Sequence, residues 1–146
     1  MKAFRFRLER VLDWRKTQFE IEEHRLKEIT AALGRVDRER TRLQAERGAT
    51  EHAVRTAASI DGAELAAHAT YVLRLGRTEE ALVARRTQIE RQVEAQRKKM
   101  IEARRRLRMI EKFKERRFAE WQTSLSRELE DLASESYLAR WQTRKT

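Results

Sequence analysis

Ser59-Ile60-Asp61-Gly62-Ala63-Glu64 is the stretch on which the fold turns. Asp61, with Glu64 three residues later, has the form of a capping box, in which each side chain satisfies a backbone N–H of a new first turn. Elsewhere little interrupts a helix: the 146 residues contain no proline and only four glycines. The sequence therefore predicts one helix from about Ala3 to about Ala57, a turn over about 58–61, and a second helix from about residue 62 to about Leu138. Gly76 is the point at which that second helix can kink, or split into a short and a main helix.

Hydrophobic periodicity on both sides of the turn agrees. In the first half Leu26, Ile29, Leu33, Val36 and Leu43 recur at three- and four-residue spacing, with Arg40 taking one position. Phe4, Leu8, Val11, Leu12 and Phe19 continue the stripe upstream after a small slip in phase. In the second half a four-three alternation picks out Leu82, Ile89, Val93, Met100, Ala103, Leu107, Ile110 and Trp121. Arg86, Gln96, Lys114 and Arg117 fill the remaining seam positions. A seven-residue repeat held this long implies a left-handed supercoil. The fold class is all-α: a long two-helix antiparallel coiled-coil hairpin, one domain over 1–146, with the C-terminal helix overhanging.

A turn this short makes the helices antiparallel neighbours, and residue numbers of facing pairs then sum to about 119–126. A sum of 119 sets Leu12 against Leu107, whereas 126 sets Phe19 there; a heptad shift leaves the pattern nearly intact. Either way Phe118, Trp121, Leu125, Leu129 and Leu132 continue as an apolar stripe with no intramolecular helix opposite most of them. Such a stripe is expected to be covered, by dimerisation or by insertion into another protein.

Composition suits a narrow seam better than a compact core. Charged residues make up 40% of the chain, against about a quarter in an average protein. The absence of cysteine removes disulfides and thiolate chemistry together. His24, His52 and His68 lie far apart with no second ligand at metal spacing. Carboxylate pairs such as Glu22-Glu23 and Glu79-Glu80 fall on solvated faces, and no glycine-rich phosphate loop is present. No enzyme, cofactor or metal site is expected. Neither a signal-peptide run nor the ~20 apolar residues of a membrane span occurs, so the expected location is the cytoplasm, with no membrane insertion.

Charge is unevenly distributed. Between Arg85 and Arg117 stand fourteen Lys or Arg against five Glu, a net +9 of the chain's +10. Arg97-Lys98-Lys99 and Arg104-Arg105-Arg106 are the densest patches. This row is a solvated coiled-coil face, an attractor of an acidic protein surface, or a non-specific nucleic-acid binder. Without a recognition module, no specific nucleic acid is expected.

With the helices placed, both ends resemble the family of the flagellar export protein FliJ. Phe4-Arg5-Phe6-Arg7-Leu8-Glu9-Arg10-Val11-Leu12-Asp13-Trp14-Arg15 is similar to that family's opening, an aromatic followed by Leu-x-x-Val-Leu-x-x-Arg. Ile110-Glu111-Lys112-Phe113-Lys114-Glu115-Arg116-Arg117, with Trp121 four further on, resembles its LEKLKERR segment, and Glu130-Asp131-Leu132-Ala133 its acidic continuation. The likeness covers essentially the whole chain in length, order of elements and charge.

The resemblance implies a non-enzymatic hairpin stalk of the flagellar type III protein export apparatus. Its paired termini would insert into the ring of the export ATPase FliI, and it would also contact the export gate protein FlhA and export chaperones. That places it peripherally at the cytoplasmic face of the inner membrane. The ATPase-facing positions would be Phe4, Leu8, Leu12, Trp14, Lys112, Lys114, Arg116, Arg117, Phe118 and Trp121. The gate-facing positions would be Leu43, Tyr71 and Leu75, with Glu46 and Thr50 as polar departures. Two alternatives remain: the equivalent stalk of a virulence type III secretion system, which shares the architecture, and a self-associating structural coiled coil.

Overall fold

The computed structural model describes residues 3–144. It holds two long α-helices packed against each other, α1 (Glu9–Thr56, 48 residues) and α2 (Gly62–Thr143, 82 residues), and no strand among the described residues. The all-α hairpin follows from the sequence pattern. Strong helix formers dominate, proline is absent, and each helix carries one inward row of apolar side chains between charged faces.

α2 starts where the capping residues put it. The Glu64 N–H donates to the Asp61 carboxylate at 2.7 Å, and the Leu65 N–H to the Asp61 carbonyl at 3.1 Å. Gly76 does not split α2, which runs unbroken to Thr143 rather than stopping near Leu138. A Cβ at Gly76 would meet nothing within 4 Å, so no close approach demands glycine there.

The expected start of α1 near Ala3 is corrected to Glu9; Ala3–Phe6 is not helical. Two effects oppose a longer helix. Arg5 and Arg7 would lie in its first turns, against the positive end of the dipole, whereas a start at Glu9 sets a carboxylate there. In addition, the two phenylalanines of the non-helical segment pack on α2.

Contacts group the chain into two compact units, one formed by the chain up to Glu20 with the chain from Glu102 on, the other by Ile21–Ile101. In the second unit Val36, Leu43, Leu75 and Ile89 are buried, with Leu26, Ile29, Leu33, Leu82, Val93 and Met100 half-buried around them. Each buried aliphatic side chain contributes about 2 kcal/mol. Polar groups cross the same seam: Gln96 is buried, and its amide donates to the Glu22 carbonyl at 3.1 Å and to the Glu22 carboxylate. Arg40 takes the seam position expected of it, with its Nε buried and without a hydrogen-bond partner. In the first unit Leu12 is the buried residue, with Phe19, Ala103, Leu107 and Ile110 half-buried.

Charge pairs decide the register. Glu9 meets Lys114 at 2.9 Å in the first unit; Asp37 meets Arg86 at 2.6 Å and Gln44 meets Glu79 at 3.2 Å in the second. In these three pairs the residue numbers sum to 123, while longer reaches across the seam, Glu46–Tyr71, Glu22–Gln96 and Arg47–Glu79, give 117, 118 and 126 on either side of it. A sum of 126 would set Arg86 opposite Arg40, and 119 would set Lys114 opposite Arg5. Like charges held face to face are destabilising, whereas the observed pairing gives Lys114 and Arg86 a carboxylate each.

Candidate protein-docking site

The segment Ala3–Phe6 lies along α2 and builds an aromatic cluster with it. The Phe4 ring meets Phe118 edge-on at 5.2 Å and Trp121 at 5.9 Å, and Phe118 stacks on Trp121 at 5.6 Å. Phe6 packs on Phe113 at 5.9 Å. The spacing explains the match. Two extended residues advance about 7 Å, and the five helical residues from Phe113 to Phe118 rise about 7.5 Å. Phe6 and Phe4 therefore reach successive aromatics of a helix running the opposite way. Each such ring pair adds about 0.5–1.5 kcal/mol beyond area burial.

Cations border this cluster. The Arg117 and Arg116 guanidinium groups lie 5.2 and 5.9 Å from the Phe113 ring centre, and Lys114 Nζ lies 5.9 Å from that of Phe6. Arg117 also pairs with Glu120 at 3.0 Å. It is exposed, not in the seam as its heptad position suggested. Lys112 is exposed and forms no ion pair among the described residues. Leu8, Arg5 and Arg7 line a shallow groove beside Trp121. Trp14 is half exposed, with the Arg15 guanidinium 4.6 Å from its ring.

Past the cluster α2 is bare. Every residue from Ser126 to Arg144 is exposed, including Leu129 at 52% and Leu132 at 59%. Phe118, Trp121, Leu125, Leu129 and Leu132 form one stripe, since steps of three and four residues keep to one side of a helix. Tyr137, Leu138 and Trp141, also exposed, were not anticipated. They sit off this stripe on another face, so no continuation of the periodicity pointed to them. The missed Phe6–Phe113 pair did leave a signal: Phe4-Arg5-Phe6-Arg7-Leu8 alternates with period two, the mark of an extended segment.

The structure brings Phe4, Leu8, Lys114, Arg117, Phe118 and Trp121 together, with Lys112 and Arg116 beside them. It removes others from any surface. Leu12 is 2% exposed, and Leu43 and Leu75 are 7% exposed. All three pack in the seam between the helices and present nothing to a partner, which corrects their expected roles in docking. Tyr71 is half-buried, and its hydroxyl donates to the Glu46 carboxylate. That bond, together with partial burial and the nearby negative charge, raises the phenol above its ordinary value of 10.0.

No group of three His, Asp or Glu among the described residues could hold a metal ion, and His24 simply pairs with Glu28 at 3.2 Å. No described helix is long and apolar enough to cross a membrane. Fold and site together define a class: an all-α helical hairpin with an aromatic cluster between its N-terminal segment and α2, beyond which α2 carries an uncovered apolar stripe. The chain matches no protein-family model, no curated protein and no solved structure.

Proposed function

We propose that this protein is a non-enzymatic stalk of a flagellar type III protein export apparatus, a coiled-coil hairpin that binds the ring of the export ATPase and the export gate and couples them. One observation carries the reading. The N-terminal segment is clamped to α2 by Phe4, Phe118 and Trp121, and α2 then continues as a bare apolar stripe with cations on its approach. An apolar stripe on a helix that outlasts its partner is suited to a ring's central hole, where water is excluded from the stripe and cations meet acidic walls. The resemblance of both chain ends to the FliJ family points to the same partner.

Ring contact then falls to Phe4, Leu8, Trp14, Phe118 and Trp121, with Lys112, Arg116 and Arg117 at the rim. Gate contact falls to Tyr71 with Leu65 and Leu73, both more than half exposed in the same unit. The protein is then peripheral at the cytoplasmic face of the inner membrane. Coupling requires the ring to bind the stalk differently in different nucleotide states.

The test is the ATP hydrolysis rate of the same organism's export ATPase with substoichiometric protein at physiological salt. Stimulation is expected, and it should be lost when Phe118 and Trp121 become Ala. An unchanged rate, with no co-elution of the two proteins, would remove the reading.

A further inference from the structure

We infer that the overhanging part of α2 docks a cationic amphipathic helix, a chemistry opposite to that sought by the basic stretch just before it. If the hairpin is the proposed stalk, this helix is the part of its partner that covers the stripe; the peptide test below reads the stripe without that partner. On a helical wheel Leu125, Leu129 and Leu132 share one side of α2. Glu128, Asp131 and Glu135 run along one border of that stripe, at steps of three and four residues. All three carboxylates are exposed, and none forms an ion pair among the described residues. Arg127, the neighbouring cation, pairs with none of them. The opposite border is neutral beside the three leucines, at Gln122, Ser126 and Ala133, and carries a cation only further on, at Arg140.

These asymmetric borders select the occupant. An antiparallel second copy would set the carboxylate row against itself, and like charges in contact are repulsive. A parallel copy would set Glu128 against neutral Ala133 and would give only Glu135 a cation, Arg140 of the second copy. Neither supplies a row of cations. A helix with an apolar stripe bordered by Lys or Arg covers the three leucines and neutralises the row at the same time. The basic stretch behaves in the opposite sense, because Lys98, Lys99, Arg104, Arg105 and Lys112 are exposed without ion pairs. One helix thus carries two docking segments of opposite charge.

The test uses two labelled amphipathic peptides of about 18 residues with the same leucine stripe, one bordered by lysines and one by glutamates. Fluorescence anisotropy with the full chain measures both affinities. The lysine peptide should bind at least about tenfold tighter than the glutamate peptide, and less tightly as salt rises. Glu128→Lys with Asp131→Lys and Glu135→Lys, all at exposed positions, should invert the preference. Leu129→Ser with Leu132→Ser should abolish binding of the lysine peptide while the helical content is retained.

Equal binding, a wild-type preference for the glutamate peptide, or an unchanged preference after charge reversal would overturn the inference. So would a concentration-dependent doubling of mass in sedimentation that disappears in the serine variant, because that would assign the stripe to a second copy.

Discussion

Replacing Gln96 separates the two forces that hold the seam. Its side chain is 6% exposed and donates to both the carbonyl and the carboxylate of Glu22. In Gln96→Ala both hydrogen bonds are lost, at about 1 kcal/mol each, together with the burial of the side-chain methylenes, at about 0.8 kcal/mol per group. The expected loss is about 2–3 kcal/mol. In Gln96→Leu the same bonds are lost, but a buried leucine returns about 2 kcal/mol. At Glu22 the carbonyl lies within α1 and one carboxylate oxygen keeps Arg25 at 3.2 Å, while the other, which Gln96 had filled, must turn to water from a side chain that is 16% exposed. Gln96→Leu should therefore remain within about 1 kcal/mol of the wild type. Urea unfolding followed by far-ultraviolet circular dichroism compares the three proteins. A leucine variant as unstable as the alanine variant would refute the reasoning, because the hydrogen bonds would then outweigh apolar burial in this seam.

Asp61→Ala removes the carboxylate that accepts the Glu64 N–H at 2.7 Å, and should lower stability by about 1 kcal/mol; Asp61→Asn should recover most of it in the same urea assay. Tyr71 titrates above 10.0 because its hydroxyl donates to Glu46. A pKa raised by folding contributes stability that is fully present below the unfolded value and is lost as pH rises through the folded one. The hairpin should therefore lose this contribution above about pH 10. Glu46→Gln should bring the phenol back toward its ordinary range, read from phenolate absorbance in a Tyr137→Phe background that leaves Tyr71 as the sole tyrosine.

The sequence by itself determined the secondary structure of most of the chain. Local physics is enough for that: no proline, helix-forming charged residues, a three-four apolar rhythm, and one capping aspartate at residue 61. The uncovered stripe through Leu125, Leu129 and Leu132 was legible for the same reason, because it only requires one helix to outlast its partner's pattern. The tertiary structure decided what depends on two segments meeting. A heptad pattern is nearly degenerate under a seven-residue slip, and it took Glu9–Lys114, Asp37–Arg86 and Gln44–Glu79 to choose among registers. The same meeting buried Leu12, Leu43 and Leu75, whose apolar character alone does not tell a seam residue from a docking residue. It also drew Ala3–Phe6 out of the helix, since Phe4 and Phe6 gain more against Phe113, Phe118 and Trp121 than two further turns could offer with arginines at the positive end of the dipole.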